Sequence, residues 1–339
     1  MARKDLAQAK DAKKDEFYTQ LSDIEKELVH YREYFRDKVV FCNCDDPYES
    51  NFFKYFALNF NALGLKKLIA TCYDGSPIAQ QELPLFPEAE TAPKRKAYKV
   101  EISEVPDMDG NGTADLTDVQ LLLKSSDNNV KAELKGNGSF DSPESIELLK
   151  EADIVVTNPP FSLFREFLAL LDKYNKQFII IGNTNALTYK ETFKMFQEDK
   201  IRTGYTNFNV GMYFQVPDSW EKFHHIENGK KMARVSTSCW FTNLPVSKHN
   251  EELILIKHYT PEEYPKYDNY DAINVNTYTD IPCDYTGIMG VPVTFLDKFN
   301  PAQFEIIKFR KGDDDKDLTV NGKSPYFRIL IRNKKPQLS

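Results

Sequence analysis

The sequence predicts an α/β protein: an open, mostly parallel sheet, followed by a C-terminal region of antiparallel strands. Three observations carry this. Short apolar runs of β-formers, among them Ile154 to Val156 and Phe178 to Ile181, are continuous in the way of strands covered on both faces. Segments with helical spacing alternate with them up to Asp199. From Ile201 the alternation stops, and short aromatic and β-branched runs follow.

In order, residues 1 to 15 are polar and charged and read as a frayed N-terminus. Leu21, Ile24, Leu28, Tyr31 and Phe35 predict a helix from about Asp23 to Phe35. Lys38 to Asn43 reads as a strand, Asn51 to Leu63 as a helix closed by Gly64, and Leu65 to Thr71 as the next strand. In such a βαβ unit ligands sit at the carboxyl ends of the strands, where Asp45, Asp46, Pro47 and Asp74 fall.

Residues 76 to 97 read as loop, and Tyr98 to Ile102 as a strand. Asp107 to Asp118 matches a calcium loop, with Asp107, Asp109, Asn111, Thr113 (by its backbone), Asp115 and Asp118 as oxygen ligands and Gly112 at the turn. Position twelve is Asp rather than Glu, and a self-capped acidic turn before a helix from Thr117 to Leu123 is the alternative. Ser142 to Ala152 and Ser162 to Tyr174 read as helices, Gln177 to Gly182 as a strand, and Tyr189 to Asp199 as a helix. Thr206 to Gln215, Val235 to Thr242 and Leu253 to Lys257 read as antiparallel strands.

The length of 339 residues suggests about two domains at roughly 150 residues each. The expected division is 16 to 200, with 76 to 140 as insertion and loops, then 201 to 339. No apolar run is long enough to span a bilayer, and the charged N-terminus lacks a signal peptide's apolar core, so a cytoplasmic protein is expected. Cys42, Cys44, Cys72, Cys239 and Cys283 show no CxxC spacing and read as reduced. Net charge is −7, but residues 201 to 339 hold 18 Lys+Arg against 17 Asp+Glu, leaving 26 against 34 for the rest. Phosphate binding needs a local basic stripe rather than a basic average. Lys230, Lys231, Arg234, Lys308, Arg310, Lys311, Arg328, Arg332, Lys334 and Lys335 are the candidates for it.

The chemistry concentrates in Asn158-Pro159-Pro160-Phe161, after the buried strand Ile154 to Val156. Two prolines hold the turn extended and stiff. The Asn158 side-chain oxygen and the Pro159 carbonyl then offer two acceptors to an amino group with two hydrogens, and Phe161 offers a stacking face. That suits methyl transfer to an exocyclic amine, whose lone pair must be freed from the ring. No P-loop, HExxH or GxSxG is present, and His224-His225 reads as structural or phosphate-contacting rather than as a metal pair.

On DEFYTQLSDIEKEL, VVFCNCDDPYESNFFKYFALNF, LGLKKLIATCYDG and EADIVVTNPPFS the chain resembles the EcoRI-type DNA adenine-N6 methyltransferases. The resemblance implies a Rossmann-like sheet using S-adenosylmethionine, with residues 16 to 200 as catalytic domain and 201 to 339 as target-recognition region. It implies that Asn158, Pro159, Pro160 and Phe161 are catalytic, and that Phe17, Tyr18 and Thr19 form the cofactor motif placed before the first strand. Asp46-Pro47 ahead of Asn51-Phe52 resembles the first-strand cofactor loop, with Tyr48-Glu49-Ser50 where glycines usually stand. Asp74 would meet the cofactor ribose hydroxyls and Asp141 its adenine amino group. Double-stranded DNA is the implied partner, its adenine turned out of the helix, with a cognate restriction endonuclease and a monomeric enzyme expected. An RNA base or a protein glutamine amide is the alternative substrate of the same fold, and an idle DNA-binding protein the third reading.

Overall fold

The computed structural model describes residues 18–44, 50–73, 97–124, 129–216, 218 and 220–337. The chain divides into two compact units, residues 1–183 with 204–242, and residues 184–203 with 243–339. The expected break after residue 200 is therefore crossed twice. A strand from 238 to 242 zips antiparallel onto the strand from 177 to 183, so the first unit's sheet is completed only there.

The first unit contains strands β1 (Tyr18–Thr19), β2 (Val39–Cys42), β3 (Lys67–Thr71), β4 (Tyr98–Ile102), β5 (Asn129–Glu133), β6 (Ile154–Thr157), β7 (Gln177–Asn183), β8 (Met212–Val216), β9 (His225–Glu227), β10 (Lys230–Val235) and β11 (Ser238–Thr242). Within it the main sheet runs in the order β5-β4-β3-β2-β6-β7-β11. β3, β2, β6 and β7 are mutually parallel, whereas β4, β5 and β11 join antiparallel. Every residue of β2 and β6 is buried, which explains their unbroken apolar character. β4 instead alternates, with Tyr98, Val100 and Ile102 buried.

Helices complete two crossovers. After β2, Ser50 caps the helix Asn51–Leu58, its side chain accepting from Phe52 N at 3.0 Å and Phe53 N at 3.4 Å. The single helix expected to Leu63 breaks at Asn59 into a second short helix, Phe60–Leu63, which Gly64 ends at φ 63°. After β6, the helix Phe164–Lys173 leads to β7. One crossover therefore leaves β2 toward β3 and the other leaves β6 toward β7, in opposite directions from adjacent strands. Such a reversal opens a crevice at the carboxyl ends of the two strands.

The N-terminal helix is α-helical from Leu21 to Leu28 and tightens to 3-10 from Val29 to Tyr34, still burying Ile24, Leu28, Tyr31 and Phe35. β1 joins a second, antiparallel sheet, β1-β8-β10-β9, in which Thr19 faces Phe214.

The second unit holds β12 (Ile273–Asn274), β13 (Ile288–Pro292), β14 (Phe304–Phe309) and β15 (Arg328–Asn333), in the order β12-β13-β15-β14. The helix Lys190–Gln197 lies against β14, with Phe193 and Phe309 ring centroids 4.9 Å apart and Gln197 Nε2 donating to Ile306 O at 3.1 Å. The expected strand Leu253 to Lys257 joins no ladder apart from an isolated bridge at Lys257. The Gln303 side-chain amide takes the place of a neighbouring strand there, accepting from Leu253 N and donating to Leu253 O at 2.8 Å each. Among the described residues no helix is long and apolar enough to cross a membrane.

Candidate active site

β6 delivers Asn158 to the crevice. Thr157 is fully buried, Asn158 and Pro159 are buried, and Pro160, at φ −54° and ψ 125°, keeps the chain extended before Phe161–Leu163 turns into the helix. The helix start is seated tightly on β7, because a Cβ at Gly182 would stand 2.4 Å from Phe164 Cε2. The turn is thus held from both sides by strand and helix.

The antiparallel sheet brings the N-terminal motif to this turn. The Phe161 ring meets Phe214 edge to face, with centroids 6.2 Å apart and planes at 81°. Phe214 on β8 pairs with Thr19 on β1, and Asn51 Nδ2 donates to the Thr19 carbonyl at 2.7 Å. Tyr18-Thr19 and Asn158-to-Phe161, far apart in sequence, therefore share one neighbour. Thr71 Oγ1 donates to Asn43 O at 3.3 Å, clamping the carboxyl ends of β2 and β3.

Two buried polar atoms in this region have no hydrogen-bond partner among the described residues: Thr19 Oγ1 and Asn43 Nδ2. Buried polar groups are almost always satisfied, so unpaired ones beside a crevice point to a polar ligand. These are the observations against which a cofactor can be fitted. Asn43 and Phe214 went unmarked in the sequence. Asn43 abuts the acidic stretch after β2, whereas the pairing of Phe214 with Thr19 is a long-range event with no local signal.

Asp141 lies exposed in the loop before the helix Pro143–Glu151 and accepts from Ser139 Oγ at 2.5 Å. That loop is fixed to the end of β3, because Gly138 sits at φ 76° where a Cβ would stand 2.2 Å from the Cys72 carbonyl oxygen. Phe140 packs on Phe167 of the helix after the turn, at 5.1 Å. Gly138→Ala is expected to cost about 1–3 kcal/mol, read as a lowered Tm, because the αL backbone and the carbonyl contact both resist a side chain. An unchanged Tm would show that the loop is not held there. Phe17, Asp45, Asp46, Pro47 and Asp74 lie outside the described residues.

The Asp107-to-Asp118 loop uses its oxygens on itself. Asp107 Oδ1 accepts from Gly110 N at 2.7 Å and its Oδ2 from Gly112 N at 2.7 Å, while Asn111 Oδ1 accepts from Thr113 N at 2.9 Å. Asp118 accepts from Met108 N at 2.6 Å and Asp115 N at 2.7 Å. The Asp115 N–H foremost, with those of Met108 and Asp109, holds the Asp118 carboxyl below the usual carboxylate range. Oxygens of Asp107, Asp109 and Asp118 do lie within 4.8 Å of one another, but N–H donors of the same loop, those of the Asn111 side chain among them, already bond to them. We therefore expect neither calcium nor EGTA to move the Tm of this protein. A calcium-induced rise would show that the loop does take an ion.

Several expected phosphate-binding cations are engaged locally. Arg310 and Lys311 pair with Asp317 at 3.0 and 2.8 Å, Arg332 with Glu305 at 3.3 Å, and Lys335 with Glu252. Lys231 Nζ donates to Trp220 O at 3.0 Å and Arg234 to Val210 O at 3.0 Å. Exposed pairs of this kind are worth about 0–1 kcal/mol, so a phosphate can displace them. His224 and His225 both pack edgewise on Tyr213, at 5.2 and 5.3 Å, in keeping with a structural role.

An Asn-Pro-Pro-Phe turn leaving a buried parallel strand, beside the point where strand order reverses, belongs to an α/β methyltransferase. The family model described as "Adenine-specific methyltransferase EcoRI" matches residues 5–334. The chain is 51% identical over 338 residues to the Type II methyltransferase M.EcoRI of Escherichia coli, covering 98% of this chain and 97% of that protein. It is 37% identical to M.MgeORF184P of Mycoplasma genitalium, over 96% of this chain and 97% of that one, and 39% identical to M.MpnI of Mycoplasma pneumoniae, over 88% and 83%. No solved structure matches. The chain belongs to the EcoRI family of adenine-specific methyltransferases. It is a site-specific DNA methyltransferase acting on adenine, with S-adenosylmethionine as methyl donor.

Proposed function

We propose that the first unit is a Rossmann-like methyltransferase domain that receives an adenine turned out of duplex DNA at Asn158 and Phe161 and binds its cofactor over the carboxyl ends of β2 and β3. The placement of Asn158 at the strand-order reversal, beside β2, carries this reading. Thr19 Oγ1 and Asn43 Nδ2, buried without partners among the described residues, fit the carboxylate, ammonium and hydroxyl groups of such a cofactor. Tyr18 and Asp141, with Phe17, Asp45, Asp46, Pro47 and Asp74, complete the proposed cofactor set. S-adenosylmethionine, when bound, supplies an electrophilic methyl group.

The chain's own contribution is positional and electrostatic. The Asn158 side-chain oxygen and Pro159 carbonyl accept from the adenine amine, localising its lone pair on nitrogen. Phe161, braced by Phe214, stacks on the base and offsets part of the few kcal/mol spent in unstacking it. Basic residues of the β9–β10 hairpin and of the second unit meet the phosphates, and residues 201–339 supply sequence recognition. We place the enzyme in the cytoplasm as a monomer, alongside a cognate endonuclease.

Duplexes carrying 2-aminopurine at the target adenine test the reading. Binding should raise the fluorescence strongly, as the base leaves the stack. Binding with no rise would mean that the base reaches Asn158 in some other way or not at all.

A further inference from the structure

We propose that His258, Cys283 and Asp284 of the second unit form a binding site for a borderline-soft divalent cation, zinc. One ligand atom from each lies within 4.8 Å of the other two. His258 Nδ1 is 3.0 Å from Asp284 Oδ2 and 3.7 Å from Cys283 Sγ. Around tetrahedral zinc, with Zn–S near 2.3 Å and Zn–N and Zn–O near 2.0–2.1 Å, neighbouring ligand atoms stand about 3.3–3.8 Å apart. The two separations at His258 Nδ1, 3.0 and 3.7 Å, lie within a few tenths of an ångström of that geometry, and the third lies within 4.8 Å.

The chain holds the backbone of this face in place, and within it His258 Nδ1 and Asp284 Oδ2 share a hydrogen bond that a bound metal ion would replace. Lys257 and Pro282 form a parallel bridge, and Cys283 N donates to Lys257 O at 2.8 Å, so the two segments run side by side. Gln337 N donates to Cys283 O at 2.8 Å, fixing the thiol's backbone from the other side. Tyr259 N donates to Asp284 Oδ1 at 2.8 Å, which turns Oδ2 toward the imidazole. An outer hydrogen bond that orients a ligating carboxylate is a regular part of metal sites. That N–H, with His258, also keeps the carboxyl below its ordinary range and so charged.

The donor set selects the ion. One thiolate, one imidazole and one carboxylate suit zinc and disfavour calcium and magnesium, which prefer all-oxygen shells. This separates the cluster from the Asp107 loop, whose oxygens are spent on backbone N–H groups. Cys283 Sγ lies in a buried residue while the His258 side chain is 73% exposed, so the fourth position faces solvent and would hold water. On binding, Cys283 releases its thiol proton to solvent, and the Nδ1 hydrogen that meets Asp284 is given up, leaving the His258 imidazole protonated at Nε2 only. Affinity should accordingly fall as pH is lowered. The inference does not rest on the methyl-transfer reading.

Full-length protein, stripped with chelator and dialysed, should be titrated with Co2+ and then with Zn2+. The expected result is one equivalent of cobalt with a thiolate charge-transfer band, displaced by zinc. Cys283→Ala should lose the band, and His258→Ala should weaken zinc about 100-fold or more, measured against a chromophoric chelator. Cys239→Ala should change neither. Substoichiometric cobalt, or a band and affinity unaltered by either ligand variant, would overturn the site. Should Cys283→Ala fail to fold, the exposed His258 variant decides the question.

Discussion

Asn158→Ala is expected to lower the rate of methyl transfer about 10²–10³-fold, or beyond detection, while leaving S-adenosylmethionine binding nearly unchanged. The magnitude is that of removing one preorganised polar group aimed at a reacting centre. The selectivity follows from position. Asn158 follows directly on β6, whereas the proposed cofactor contacts gather at β1 and the ends of β2 and β3. Single-turnover rates with labelled cofactor and equilibrium binding of the cofactor separate the two effects. Loss of cofactor binding in Asn158→Ala would move that residue from the target amine to the cofactor.

The second large effect lies away from the reacting atoms. Glu27 is fully buried on the N-terminal helix, and its carboxylate accepts from Tyr205 N, Thr206 N and Thr206 Oγ1, each at 2.7 Å, and from Tyr31 Oη at 2.9 Å. These bonds tie the helix after β1 to the loop that leads into β8. Burial, then the Glu27 charge, pushes the Tyr31 phenol far above its usual range, so Tyr31 stays a donor. Glu27→Ala strands those donors together, the buried Tyr31 hydroxyl and the half-buried Tyr205 and Thr206 groups, and is expected to cost about 3–5 kcal/mol. Denaturant unfolding should show the loss, and activity should fall with it, because Phe214 on β8 braces Phe161. A change below about 1 kcal/mol would mean that water replaces the carboxylate at little cost. Gly204 shares the constraint, since a Cβ there would stand 2.2 Å from Glu27 Oε1.

The parts of the fold that were legible are those where a local pattern and a tertiary requirement coincide. β2, β6 and β7 read as strands because burial on both faces demands an unbroken apolar run. Gly64 marks a helix end because capping is local chemistry. Leu253 to Lys257 has the same β-forming character, yet the side chain of Gln303 occupies its backbone and no ladder forms. The break at Asn59 and the return of 238–242 to the first unit's sheet depend on partners distant in sequence.

The candidate site divides in the same way. Asn158-Pro159-Pro160-Phe161 was visible because two prolines and an aromatic after a strand leave few alternatives. Asn43 and Phe214 were not, since their importance comes from what β1 and β3 bring beside them. The acidic loop was ambiguous for a physical reason. Asp and Asn satisfy backbone N–H groups in a turn at the positions where they would ligate calcium, and only the hydrogen bonds separate the two.

The most direct measurement is incorporation of labelled methyl from S-adenosylmethionine into duplex DNA, followed by nucleoside analysis and mapping of the modified positions. The account predicts N6-methyladenine at one short defined sequence, lost with Asn158→Ala. Label appearing in RNA, in protein or at cytosine, with none on adenine, would contradict it.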